Sequence, residues 1–110
     1  MSILEEQLLF QIRALGLPEP VREYRFCAER KWKSDFAYLD TDPPLLIEVD
    51  GGLYGMGRHN RPAGYANDCE KLNQAALLGY AVMRFSSGMV TGGKAVTTLE
   101  KWFEIHGGME

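Results

Sequence analysis

Two acidic side chains at the end of an apolar run carry the first chemistry in this sequence. Leu45-Leu46-Ile47-Glu48-Val49-Asp50 begins as a continuous apolar stretch, the pattern of a strand buried on both faces. A strand's period of two then puts Glu48 and Asp50 on the same face. Unpaired buried negative charge is expensive, so such a pair needs a cation, a proton or solvent. A third acid, Asp35, lies upstream, and hard carboxylate oxygens gathered together suit a divalent metal ion. The competing reading is a strand that ends at Asp50 with its acids in water, where acidic residues are mostly found.

Bringing the three acids together takes a hairpin. Residues from Glu23 to about Glu29, and from Ser34 to about Leu39, suit strands, with Tyr24, Phe26, Phe36, Tyr38 and Leu39 supplying aromatic and apolar content. Asp40-Thr41-Asp42-Pro43-Pro44 is a turn by composition and leads into the apolar strand as the return arm. Directly opposed residues of an antiparallel pair share a face. If the numbers of opposed residues sum to an odd value, Asp35 faces Glu48 or Asp50, and a loop from Asp40 to Pro43 gives that register. Three carboxylates are then expected on one patch.

Helices must flank this hairpin. Ser2 with Glu5 is a capping-box signature. Leu4, Leu8, Leu9, Ile12 and Leu15 follow at helical spacing, and Gly16 with Pro18 ends the helix. Glu6 sits near its N-terminal end, where the helix dipole favours an ordinary solvated acid. A second helix is expected from about Tyr65 to Leu78, with Tyr65, Cys69, Leu72 and Ala76 as its core stripe. Asp68 and Lys71 share a neighbouring face, where a weak surface ion pair is the plain reading. Tyr80 to Phe85 reads as a strand. About Gly93 to Ile105 reads as a final amphipathic helix with Val96, Leu99, Trp102 and Phe103 facing inward.

Residues 51–64 contain five glycines and Pro62 and suit no regular element. Arg58, His59 and Arg61 make this segment a candidate basic arm, with Tyr54 as a stacking group; a plain connection is the alternative. The 110 residues, 45% of them hydrophobic, fit one globular domain spanning 1–110. A net charge of −3 announces no nucleic-acid partner, but Arg22, Arg25, Arg30, Lys31 and Lys33 cluster against only Glu23 and Glu29. Cys27 and Cys69 form no paired spacing and read as thiols in a reducing compartment. Neither a signal peptide nor a membrane-spanning run is recognisable.

Two decoys fall away. Gly88 to Lys94 matches most of a phosphate loop, but Ala95 stands where a Ser or Thr would hold magnesium. Single histidines at 59 and 106, with neither cysteine at ligand spacing, argue against zinc.

The order helix, three strands, helix, strand, helix resembles the PD-(D/E)XK nuclease superfamily, and within it the small very-short-patch-repair-like endonucleases, including stand-alone phage ones. The matching pieces are Glu6-Gln7-Leu8-Leu9-Phe10, Ser34-Asp35-Phe36-Ala37, Leu46 to Gly52, Asp68-Cys69-Glu70-Lys71 and Gly79 to Phe85. The resemblance implies an α/β (α+β) fold: a restriction-endonuclease-like αβββαβ core with a mixed central sheet flanked by helices, plus a C-terminal helix. It implies that Asp35 and Glu48 bind the metal. The superfamily's lysine is replaced here by Asp50, so either Asp50 acts as a third acid or a lysine comes from elsewhere, with Lys71 the candidate. Glu6 would reach in from the first helix.

The chemistry is coherent. Magnesium or manganese on carboxylate oxygens activates water toward a phosphodiester and stabilises charge on the leaving oxygen. The Val49 backbone carbonyl would add a ligand. A nearby lysine would orient the water or offset charge. Arg58, His59 and Arg61, with Arg30, Lys31 and Lys33, would grip phosphates. The expectation is a Mg²⁺- or Mn²⁺-dependent DNA endonuclease acting in the cytoplasm of a bacterial or phage-infected cell. DNA is its partner, a membrane is not, and a homodimer is compatible. A DNA-binding module that kept the fold without activity, and an α/β interaction domain with merely solvated acids, are the alternatives.

Overall fold

The computed structural model describes residues 2–51 and 62–107. The elements are α1 (Ile3–Ala14), β1 (Val21–Arg25), β2 (Lys33–Tyr38), β3 (Leu45–Asp50), α2 (Pro62–Leu77), β4 (Ala81–Ser86), α3 (Ser87–Thr91) and α4 (Lys94–His106). The expected order is present, with the short α3 added. The Ser86 hydroxyl caps α3 by accepting from the Met89 N–H, and the residues once read as a near phosphate loop form α3 and the start of α4. Both α1 and α2 are followed by a glycine in the left-handed region, Gly16 at φ 72° and Gly79 at φ 94°, where a side chain would be strained.

The four strands form one mixed sheet in the order β1-β2-β3-β4. The first two pairings are antiparallel and β3–β4 is parallel, as expected of a strand reached through a helical crossover. Phe36 opposes Ile47, Ala37 opposes Leu46 and Tyr38 opposes Leu45, so the opposed numbers have the odd sum that the turn length requires.

Helices cover both faces. Phe36, Tyr38, Leu45, Ile47 and Phe85 point to one side and pack against Leu8, Leu9 and Ile12 of α1, Val90 of α3, and Leu99, Trp102 and Phe103 of α4. Ala37, Leu46 and Val82 point to the other and meet Ala75 of α2 and, after β1, Phe26. Leu45, Leu46 and Ile47 are buried, and each such side chain is worth roughly 1.5–3 kcal/mol in transfer from water.

Two sequence expectations are corrected. The first strand was expected from Glu23 to about Glu29, but it runs Val21–Arg25. Phe26 and Cys27 leave it and are buried against the α2 side of the sheet. Within β1, Glu23 has a φ of 50°. Alternation breaks there: Arg22 reaches Glu6 of α1, whereas Tyr24 packs on the opposite face and its hydroxyl lies 3.1 Å from that of Tyr80.

The second correction concerns α2, which begins at Pro62, inside the stretch expected to suit no regular element and ahead of the expected start at about Tyr65. Its expected core stripe is not buried: Tyr65 is 66% exposed, Leu72 is 48% exposed at the edge of the pocket described below, Ala76 is exposed and Cys69 half-buried. Ala75 is its buried side chain, and Asp68 and Lys71 share the sheet side with it. Hydrophobicity alone put the helix about a quarter-turn out, because the surface it covers is partly acidic. No helix of the described residues is long and apolar enough to cross a membrane. Cys27 and Cys69 are both free thiols.

Candidate functional site

The acids of β3 become accessible where the apolar cover of α2 stops. Leu46 lies under Ala75, but one and two turns earlier the helix presents Lys71 and Asp68 instead. A pocket of about 280 Å³ opens between α2 and the ends of β2, β3 and β4. Asp35, Glu48, Asp50, Asp68, Lys71 and Arg84 line it above Phe26, Leu46, Ala75 and Val82.

Asp35 occupies the register position opposite Glu48, one step beyond the Phe36–Ile47 pair. The Val49 N–H donates to Asp35 Oδ2 at 2.7 Å, so the backbone between the two acids of β3 fixes the carboxylate of β2. Lys71 reaches across from α2. Its Nζ lies 2.9 Å from Glu48 Oε2 and donates to the Lys33 carbonyl at 2.8 Å. The competing Asp68–Lys71 surface pair is not how Lys71 is used.

Burial pushes the Glu48 carboxyl above its ordinary value; the Lys71 hydrogen bond and charge pull it back, and Asp35 adds repulsion. Desolvation is the largest of these effects, and Lys71 offsets it only in part.

Asp50 departs from expectation. It borders the same pocket, but its Oδ2 meets Arg84 Nη2 at 3.2 Å. Among the described residues no three His, Cys, Asp or Glu side chains come close enough to hold a metal ion. The three carboxylates do line one pocket, but they do not gather around one point, and Asp50 pairs with the cation of β4. Arg84 escaped notice in the sequence because it pairs in register with Glu48 across a parallel ladder, and no turn fixes that register.

Glu6, expected to reach in from α1, points elsewhere and lies 3.6 Å from Arg22. Its neighbour Glu5 feels the site. Burial first, then the charge of Asp35, raise its carboxyl above the ordinary value, and Oε1 is buried without a hydrogen-bond partner. Helical phase carried this signal, since Glu5 lies three and four residues before the buried Leu8 and Leu9.

The expected phosphate-gripping residues are spread out. The Arg30 guanidinium sits 3.9 Å over the Trp32 ring and 3.6 Å from Glu70. Lys33 Nζ is 3.5 Å from Glu23, and Lys31 is exposed. Arg58, His59 and Arg61 lie outside the described residues.

The donor chemistry fits one hard cation. Mg²⁺ keeps several waters and is commonly held through only one or two carboxylates. Asp35 and Glu48, opposite one another in register and lining one pocket, are such a pair.

No protein-family model, curated protein or solved structure matches this chain.

Proposed function

We propose that the protein is a metal-dependent DNA endonuclease of the PD-(D/E)XK kind, hydrolysing phosphodiester bonds. The observation carrying this reading is the pocket where Asp35 and Glu48 stand opposite one another on adjacent strands with the Lys71 amine 2.9 Å from Glu48. A bound Mg²⁺ or Mn²⁺ would supply a water of lowered pKa and polarise a phosphoryl oxygen. Asp35, Glu48 and the Val49 carbonyl are the groups that would hold it. Lys71, already fixed by Glu48 and the Lys33 carbonyl, would orient the attacking water or offset charge on the phosphate. The rigid sheet keeps both acids in register without help from a loop.

A second reading has its own support. Lys71 already offsets Glu48, and among the described residues no group of three metal-ligating side chains forms, which suits a nuclease-like DNA-binding module without activity. Incubating the purified protein with Mg²⁺ or Mn²⁺ and duplex, single-stranded, mismatched, nicked and four-way-junction DNA separates the two. Metal-dependent cleavage of any substrate supports the enzyme, and binding without cleavage supports the module.

A further inference from the structure

We propose that Arg84 anchors the substrate phosphate in this pocket and that Asp50 is its positioning residue rather than a third metal ligand. The inference rests on the nucleic-acid reading of the site and assigns a contact that the reading leaves open.

Three cationic residues border the pocket: Lys33, Lys71 and Arg84. Four acids, Asp35, Glu48, Asp50 and Asp68, surround them, so an incoming phosphodiester needs a cation whose donors are not already used. Lys71 spends two of its three N–H donors on Glu48 and the Lys33 carbonyl. The Lys33 amine lies 3.5 Å from Glu23 and is drawn toward β1. Arg84 differs. One Nη2 contact ties it to Asp50 at 3.2 Å, its side chain is 47% exposed, and its other donors have no hydrogen bond or ion pair among the described residues. A guanidinium offers five donors in a planar fork suited to phosphate oxygens.

The backbone aims that fork. Arg84 pairs with Glu48 and Ser86 with Asp50 in the parallel β3–β4 ladder, so Arg84 rises on the face that carries Glu48. Asp50 lies one period further along β3 and contacts the guanidinium within the pocket lining. A lysine at 84 would keep the charge and lose the fork.

Binding and cleavage are measured on the full chain: Arg84→Met, Arg84→Lys and Asp50→Asn against wild type, with circular dichroism as the folding control. A short fluorescent single-stranded DNA is titrated in EDTA across a salt series. Arg84→Met is expected to weaken binding about tenfold and to lower the slope of log K against log salt by about 0.7. Arg84→Lys restores the slope but not all of the affinity. Asp50→Asn keeps the slope and loses a few-fold in affinity, and in the cleavage assay raises KM more than it lowers kcat.

A folded Arg84→Met with unchanged affinity and slope overturns the anchor, even if the protein cleaves DNA. An Arg84-dependent slope in a protein that cleaves nothing upholds the anchor and removes the hydrolase reading. Failure of the wild type to bind any DNA overturns both.

Discussion

The Lys71 amine meets Glu48 Oε2 at 2.9 Å with the two side chains 23% and 24% exposed, a pairing between α2 and β3 that closes one wall of the pocket. It puts an ammonium group on the acid that burial disfavours most clearly as an anion. In Lys71→Met, Glu48 loses its principal counter-charge and should titrate at higher pH than in wild type, read from the side-chain carboxyl carbon by NMR. Turnover should fall about 100-fold, as for loss of one pre-organised charge-stabilising donor. An unmoved Glu48 titration would mean that the lysine is incidental.

Glu48→Gln tests the linkage from the opposite side. The folded pKa of Glu48 lies above its ordinary 4.5, so the folded protein takes up this proton more readily than the unfolded chain. The contribution is fully present below 4.5 and is lost as pH rises through the folded value. Urea unfolding from pH 4 to pH 7 should show Glu48→Gln gaining stability relative to wild type as pH increases. On the proposed nuclease reading, cleavage should disappear in the same variant, and equally in Asp35→Ala, because each removes a carboxylate proposed to hold the metal.

Glu5 and Glu6 are adjacent in sequence and opposite in consequence. Glu5→Gln should alter Mn²⁺ affinity, measured by calorimetry, since Glu5 lies in the field of Asp35. Glu6→Gln breaks an exposed pair with Arg22, worth about 0–1 kcal/mol, and should leave Mn²⁺ binding unchanged. Equal effects from both would show that helix phase does not select the acid.

The orientation of α2 can be tested without any assay of function. Leu72→Gln, on the exposed stripe, should change unfolding free energy by no more than about 0.5 kcal/mol. Ala75→Leu, wedged against Leu46 and Phe26, should cost about 1–3 kcal/mol through overpacking. The reverse ranking would restore the stripe to the core.

What the sequence made legible follows from which constraints were local. The register of β2 on β3 was readable because a short turn and strict alternation together fix it, and that alone put Asp35 opposite Glu48. The inward set of α4, Val96, Leu99, Trp102 and Phe103, is buried as expected, because that helix covers a uniformly apolar surface. The approach of Lys71 to Glu48 was anticipated, although the helix face that produces it was not. An apolar stripe points inward by default, and α2 departs from this because Lys71 and Asp68 face the acids of the sheet. Arg84 was out of reach for another reason. The β3–β4 register passes through a helical crossover, and no short-range pattern encodes it.

The left-handed backbone of Glu23 bears on how this molecule behaves in a crowded solution. β1 is a margin of the sheet, and an open margin is a template on which a foreign strand can zip. At its middle residue the φ of 50° turns the peptide groups out of line, and Val21 to Glu23 and Arg25 are exposed, three of the four charged. An approaching strand would find two short stretches of donors and acceptors separated by a twist, each fringed with charge. Replacing Glu23 by a β-branched residue that straightened this margin would create the flat, continuous edge from which fibrous aggregates grow.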